Sequence, residues 1–304
     1  MKKKLNLGFV GGGRGALIGQ VHANGARLSN KWNIVSGCLS SNPKKANLSG
    51  KDWMLEEDRI YTDYTSMANK ESSRQDGIDA VVIATPNNLH FPVAKEFIKK
   101  GINVISDKPL CINNKEAREL VKLKKKYNVF FGVTYPYSSH VMVKQAKAMI
   151  EKGKIGAIKQ VHVEYFQEWA TYITDKNKKF SPWRLDQKIN GPSFTTADIG
   201  THAFQLLTYI TGKKVKRLLS NFFVTGNKKK MEDTALMHLE LEKEIPASLM
   251  VSQSMIGQQC GLNIRIAGDK GSLEWNQENP ENLIFCQFNQ PKQILMRGYG
   301  DHMD

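Results

Sequence analysis

The feature that most constrains this chain is a strand that runs straight into glycine. Residues 5–10 form a short apolar run, and Gly11, Gly12, Gly13, Gly15 and Gly19 follow within a few positions. Glycine adopts backbone angles that other residues avoid, so the strand can turn tightly and open a helix. That helix, carrying His22, Ala23 and Leu28, starts with free N–H groups and the positive end of its dipole. The spacing suits close approach of the backbone to a diphosphate. Gly11 and Gly13 fit a G-x-G-x-x-G pattern, and Arg14 and Gly15 lie inside it. The third glycine position is filled by Ala16 or, after a three-residue insertion, by Gly19. A plain tight strand-to-helix turn is the alternative.

Strand and helix patterns alternate through residue 134. Further strands are expected at 32–39, 79–85, 102–106 and 129–134. Residues 79–85 (DAVVIAT) form a nearly continuous apolar, β-branched run, the mark of a strand buried on both faces. Ser41, Asn42 and Pro43 start one helix by capping and a proline at its first turn. Others are read over 88–100, ending at Gly101, and over 113–126, with Ala117, Leu120, Val121 and Leu123 inward. This alternation predicts an α/β, doubly wound parallel sheet. The character changes near 134. After a helix at Val141–Glu151, strands are expected at 158–169, 215–224, Thr234–Leu241, 247–254, 262–267 and 272–275, several with period-two alternation. They predict a second, α+β domain with a mostly antiparallel sheet and a helix over 200–210. The expected domains are 1–134 and 135–304.

Composition excludes several classes. No stretch approaches a membrane span, and the MKKK start leads into glycines too soon for a secretory signal, so a cytoplasmic protein is expected. Four scattered cysteines show neither a metal-binding spacing nor a disulfide framework. The formal charge is +15, but only nine of the 44 basic residues are arginine, and the lysines fall in short runs such as 124–126 and 228–230, placed on helix faces and hairpin tips. That pattern argues against nucleic acid and is compatible with an anionic cofactor or substrate.

Four further segments carry chemistry. The second strand ends at Leu39 and continues through Ser40, Ser41 and Asn42 to Lys44 and Lys45, with no acid to meet an adenosine ribose. This tips the expected cofactor slightly toward NADP over NAD, unless Ser41 and Asn42 only cap the next helix. Thr85, Pro86, Asn87 and His90 stand at the carboxyl end of a buried strand, where ligands of open α/β sheets bind. Asp107, Lys108 and Pro109 end another such strand, and a lysine there can hold developing negative charge on a substrate oxygen. Asp198 and His202 share one helix face by their four-residue spacing, an arrangement able to take a proton from an alcohol. Taken singly, these segments also read as a capped turn, an exposed lysine before proline and a helix start with a packed histidine.

Together and in this order, Gly19-x-x-His22-Ala23, Asp79 to Asn87 with His90, Asp107-Lys108-Pro109 and Asp198-Ile199-Gly200-Thr201-His202 resemble the glucose-fructose oxidoreductase / inositol dehydrogenase / rhizopine-catabolism family. The resemblance covers nearly the whole chain. It implies a Rossmann domain followed by a domain whose open sheet forms a homodimer or homotetramer interface. It also implies NAD(P)-dependent hydride transfer to or from a secondary hydroxyl of a sugar, cyclitol or related polyol. By position it implies Lys108 orienting the reacting oxygen, His202 as proton shuttle and Asp198 assisting. Asp107 would face the nicotinamide-side ribose, and Tyr137, Trp183 and Arg184 would reach the substrate. Asp107 departs from the family's glutamate, the glycine loop is longer than usual, and the chain stops early at residues 300–304, where a substrate domain shortened at its C-terminus is expected. The alternative function is a non-catalytic dinucleotide-binding regulator or a degenerate fragment of such an enzyme.

Overall fold

The computed structural model describes residues 4–176 and 182–298; the early stop read at 300–304 lies outside them. The chain divides into two compact units, residues 1–134 with 188–191, and residues 135–187 with 192–304.

In the first unit, β1 (Leu5–Gly11), β2 (Trp32–Cys38), β3 (Ala80–Ala84), β4 (Asn103–Ser106) and β5 (Phe131–Val133) form a parallel sheet in the order β2-β1-β3-β4-β5. Helices α1 (Leu17–Ser29), α2 (Pro43–Asp52), α3 (Tyr64–Ser73), α4 (His90–Lys99) and α5 (Asn114–Tyr127) connect them. All five residues of β3 are buried. Val81 and Ile83 join a core with Phe97, Val93 and Leu120, while Ala80 and Val82 join another with Phe9, Ala23 and Trp53. Each such valine or isoleucine is worth roughly 1.5–3 kcal/mol against leaving it exposed. The central strand is thus apolar on both faces. Because β1 lies between β2 and β3, the connections leave it in opposite directions, and its carboxyl end falls where ligands of such sheets bind.

Asn42 caps α2 by accepting the Lys45 N–H at 3.0 Å, with Pro43 in the first turn. Two expectations need correction. Val121, read as inward on α5, is 52% exposed. The inward row is Leu120, Leu123 and Tyr127, and Val121 lies one residue, about 100°, off it. Lys229, read within a surface run, is buried and ion-paired with Asp233 at 2.5 Å. Helix α3 goes beyond the sequence pattern, since it buries only Met67, Ala68 and Glu71.

The second unit holds β6 (Ile158–Phe166), β7 (Val215–Phe223), β8 (Thr234–Leu241), β9 (Ile245–Ser252), β10 (Gly261–Gly268), β11 (Gly271–Asn276), β12 (Asn282–Gln287) and β13 (Gln293–Met296), in the order β13-β12-β11-β10-β6-β9-β8-β7. The pairing is antiparallel apart from β6 beside β9. Helices α6 (Val141–Glu151) and α8 (Thr201–Thr211) pack on this sheet, while residues 188–190 of the short α7 (Gln187–Asn190) belong to the first unit. One core gathers Met142, Val143 and Ala146 of α6, Leu206 and Ile210 of α8 and the inward residues Val161, Leu249, Val251 and Ile264 of the sheet. Among the described residues no helix is long and apolar enough to cross a membrane.

Candidate active site

The glycine loop is fixed by contacts that leave no room for a side chain at Gly11, Gly12, Gly13 or Gly19. Gly11, Gly12 and Gly15 have φ near +80°. A Cβ on Gly19 would sit 2.2 Å from the Gly12 Cα, and one on Gly13 would sit 2.5 Å from the Leu39 carbonyl oxygen. Backbone therefore packs on backbone, which only glycine permits. The insertion resolves the sequence ambiguity: Gly19, inside α1, is the glycine that packs the helix against the loop. No side chain caps the start of α1 and no acid stands in its first turn, so its N–H groups and dipole stay available to an anion. Arg14 donates its N–H to Ser49 Oγ at 3.1 Å, and its guanidinium pairs with Asp52, which raises the Arg14 pKa and lowers that of Asp52. Ser40 Oγ accepts the Asn42 N–H at 3.2 Å, and Ser41 is exposed beside it.

The strand ends of the same unit gather the remaining predicted cofactor residues. His90 is buried, with Nδ1 2.6 Å from the Pro109 carbonyl and Nε2 3.0 Å from the Thr85 carbonyl, so it ties the loop after β3 to the loop after β4. Asn87, also buried, donates to Asn190 Oδ1 at 2.6 Å after the turn made by Pro86. Asp107 accepts the Thr134 hydroxyl at 3.0 Å and lies 4.0 Å from His22 Nε2. Burial lowers the His22 pKa, and the Asp107 charge opposes that shift. Thr85 Oγ1 is buried and has no hydrogen-bond partner among the described residues. Lys108, half-buried, follows directly. A glycine-lined bend, an uncapped helix start and an unpaired buried hydroxyl together fit a dinucleotide.

The second unit brings together the predicted proton-transfer residues. A π turn, Thr196–Gly200, leads into α8 and places Asp198 four residues before His202. His202 is only 7% exposed. Its ring meets those of Tyr137, Tyr135 and Tyr165 edge-on or tilted, at centroid distances of 4.9, 5.7 and 6.3 Å. The Tyr137 and Tyr165 hydroxyls lie 2.5 Å apart, and Tyr165 OH is 3.1 Å from Cys260 Sγ. Burial raises the pKa of both tyrosines, so they stand as neutral phenols around the imidazole. Arg184 approaches Asp198 Oδ2 to 3.9 Å and stacks 4.6 Å above the Trp183 ring. Tyr137, Trp183 and Arg184 thus all lie in the second unit with Asp198 and His202, and Lys108 lies in the first.

Sequence reasoning missed the residues that hold this turn. Glu232 accepts the Ser193 hydroxyl at 2.6 Å and the N–H groups of Phe194 and Thr196 at 3.1 Å, capping the turn from the segment before β8. Gln253, at the end of β9, donates to Asp198 Oδ2 at 2.8 Å. Tyr165 and Tyr135 close the box around His202. The one available signal was Gln253, a polar residue continuing the inward row Ala247, Leu249 and Val251.

Comparison with known proteins agrees with this architecture. Residues 5–135 match the model of an oxidoreductase family with an NAD-binding Rossmann fold, and residues 143–274 match the GFO/IDH/MocA C-terminal domain. The uncharacterized oxidoreductase YfiI of Bacillus subtilis is 34% identical over 98% of this chain and 77% of its own. Two structures of an inositol dehydrogenase homolog from Azotobacter vinelandii, one complexed with NAD+ and one with NADH and myo-inositol, are 32% identical to it. They cover 99% of this chain and 78% of their own, with TM-scores of 0.94 and 0.90. Two family domains in sequence, on the sheet orders described above, establish that this chain belongs to the GFO/IDH/MocA family of NAD(P)-dependent oxidoreductases.

Proposed function

We propose that this enzyme oxidises or reduces a sugar, cyclitol or related polyol at a secondary hydroxyl. One observation carries the reading: a buried imidazole boxed by three tyrosines stands one helical turn after a carboxylate that an amide and an arginine hold in place. In the oxidative direction His202 takes the hydroxyl proton. Asp198 supports the cation that forms on His202 and contacts substrate, and Lys108 holds the alkoxide-like oxygen through its ammonium. Trp183 and Arg184 are assigned to the substrate, with Tyr137 lining the histidine box. Bound nicotinamide supplies hydride acceptance or donation. Gly11, Gly13, Gly15 and Gly19 admit the diphosphate, and Thr85, Pro86, Asn87, His90 and Asp107 shape its nicotinamide end. The relative solved with NADH and myo-inositol supports this substrate class.

NADP is the proposed cofactor over NAD. No carboxylate ends β2: Ser40 and Ser41 follow Leu39, whose carbonyl packs against Gly13 of the glycine loop. Residence in the cytoplasm and assembly into a dimer or tetramer through the open face of the second sheet complete the proposal; sedimentation velocity tests the assembly.

A panel of polyols with each cofactor, followed at the reduced-nicotinamide absorbance, tests the function. At least one polyol is expected to give turnover, faster at low cofactor concentration with NADP. Lys108→Ala and His202→Ala are each expected to slow that turnover by about 10²–10⁴-fold with little change in cofactor affinity. Normal rates in both variants would contradict the assignments. Cofactor binding without turnover on any polyol would favour a non-catalytic regulator.

A further inference from the structure

We propose that Gln253 is a positioning residue that sets the orientation and charge of Asp198; this rests on the catalytic reading of Asp198 given above. The inward row of β9 is apolar at Ala247, Leu249 and Val251, and the next position in that row, one residue past the strand, is Gln253, which is 0% exposed. A buried amide at a core position costs stability unless its donors and acceptor are all used. Here they are. The amide nitrogen lies 2.8 Å from Asp198 Oδ2 and 3.0 Å from Gln167 Oε1, and the amide oxygen accepts the Thr195 hydroxyl at 2.9 Å.

The direction of these bonds follows from chemistry. The Trp169 indole N–H can only donate, and it lies 2.9 Å from Gln167 Oε1, so that atom is the oxygen of Gln167. That oxygen can only accept, so Gln253 presents its NH2 group to it. An ionised Asp198 can likewise only accept. The network is therefore directed: Trp169 and Gln253 both donate to Gln167 Oε1, and Gln253 donates its other N–H to the Asp198 carboxylate. It cannot be reversed by flipping the Gln253 amide without facing oxygen to oxygen at two contacts.

The main chain fixes Gln253 as firmly. Its N–H donates to the Asp233 carbonyl at 2.8 Å, and its carbonyl accepts the Ala170 N–H at 2.9 Å. Asp233 is itself anchored by the buried Lys229 ammonium. Charged or titratable groups near Asp198 include the Arg184 guanidinium, Tyr137 and, one turn on, His202. Gln253 adds a neutral donor whose position does not depend on any of their charges. A donor aimed at one carboxylate oxygen favours the ionised form and fixes its rotamer.

The experiment uses the full-length enzyme and the polyol giving the highest rate among myo-inositol, D-glucose and D-xylose. Gln253→Met, similar in volume but without donors, is expected to lower kcat/KM about tenfold to hundredfold and to move the acid limb of its pH profile upward by about one unit. Cofactor affinity should stay unchanged. Gln253→Glu should lose more, by placing a second carboxylate against Asp198. In an Asp198→Asn background, Gln253→Met should cost less than about threefold further, because the residues act as a unit. Should Gln253→Met fail to fold, Thr195→Val removes the bond that orients the amide oxygen and should shift the pH profile the same way by a smaller amount. A folded variant with the wild-type acid limb and rate, or a full additional loss in the Asp198→Asn background, overturns the proposal. If Asp198→Asn itself turns over normally, the catalytic reading falls and this inference with it. If Asp198→Asn is slow and Gln253→Met is not, only the role of Gln253 falls.

Discussion

The glycine loop of the first unit and the Asp198 turn of the second solve the same problem by opposite means. Both must hold reacting groups rigidly at the start of a helix. The loop does so with backbone alone: Gly12 packs on Gly19, and Gly13 on the Leu39 carbonyl. The Asp198 turn does so with side chains brought from far along the chain, Glu232 onto its N–H groups and Gln253 onto its carboxylate. A site built from backbone fails through sterics and at one position. A site built from side chains fails through lost hydrogen bonds, by degrees, and reports its failure in pH dependence.

This contrast is open to attack at several points. The largest expected effect is on the loop. Gly19→Ala places a Cβ 2.2 Å from the Gly12 Cα, and cofactor binding, followed by nicotinamide fluorescence, is expected to weaken at least about hundredfold, beyond the roughly 2.7 kcal/mol that this factor represents. Wild-type affinity would show that the loop is not backbone-packed. Next is the buried Lys229–Asp233 pair at the base of the second site. Lys229→Met leaves a buried carboxylate unpaired and should cost about 3 kcal/mol or more in denaturant unfolding. The same pair gives a pH signature. Burial works against ionisation of Asp233, but the Lys229 ammonium and the N–H groups of Thr225 and Gly226 hold its pKa down to about 2. With an unfolded value of about 3.9, its stabilisation of about 2.6 kcal/mol is present in full above about pH 5, falls through the folded pKa and is gone by about pH 1. A Lys229→Met/Asp233→Asn double variant should lose that part of the acid slope. The smallest effect is expected from Glu232→Gln, which keeps an oxygen acceptor but removes the charge at a helix start. About 1 kcal/mol of stability and a modest fall in kcat should result. Equal insensitivity of Glu232 and Gln253 to substitution would erase the contrast between the two regions.

The same contrast explains what could be read in the sequence. The first unit was legible because its signals are local. Apolar runs such as 80–84 mark strands buried on both faces, glycines mark the bend, and Asn42 with Pro43 marks a helix start. The α3 helix escaped because it fully buries only two apolar residues, Met67 and Ala68. In the second unit, Asp198 and His202 were legible through their four-residue spacing. Their supports were not, because Glu232 and Gln253 lie 34 and 55 positions beyond Asp198, and only the fold brings Glu232 onto residues 193–196 and Gln253 onto Asp198 itself. The Lys228 to Lys230 run misled for a related reason: charge patterning shows a lysine, but only the fold shows that Asp233 draws the middle one inside.

The most direct test of the central claim is the rate of reduced-nicotinamide formation by wild-type enzyme and His202→Asn, each saturated with cofactor and the best polyol of the panel. Measurable turnover is expected in the wild type and a loss of at least about hundredfold in the variant, with cofactor affinity retained. Equal rates in the two proteins would contradict it.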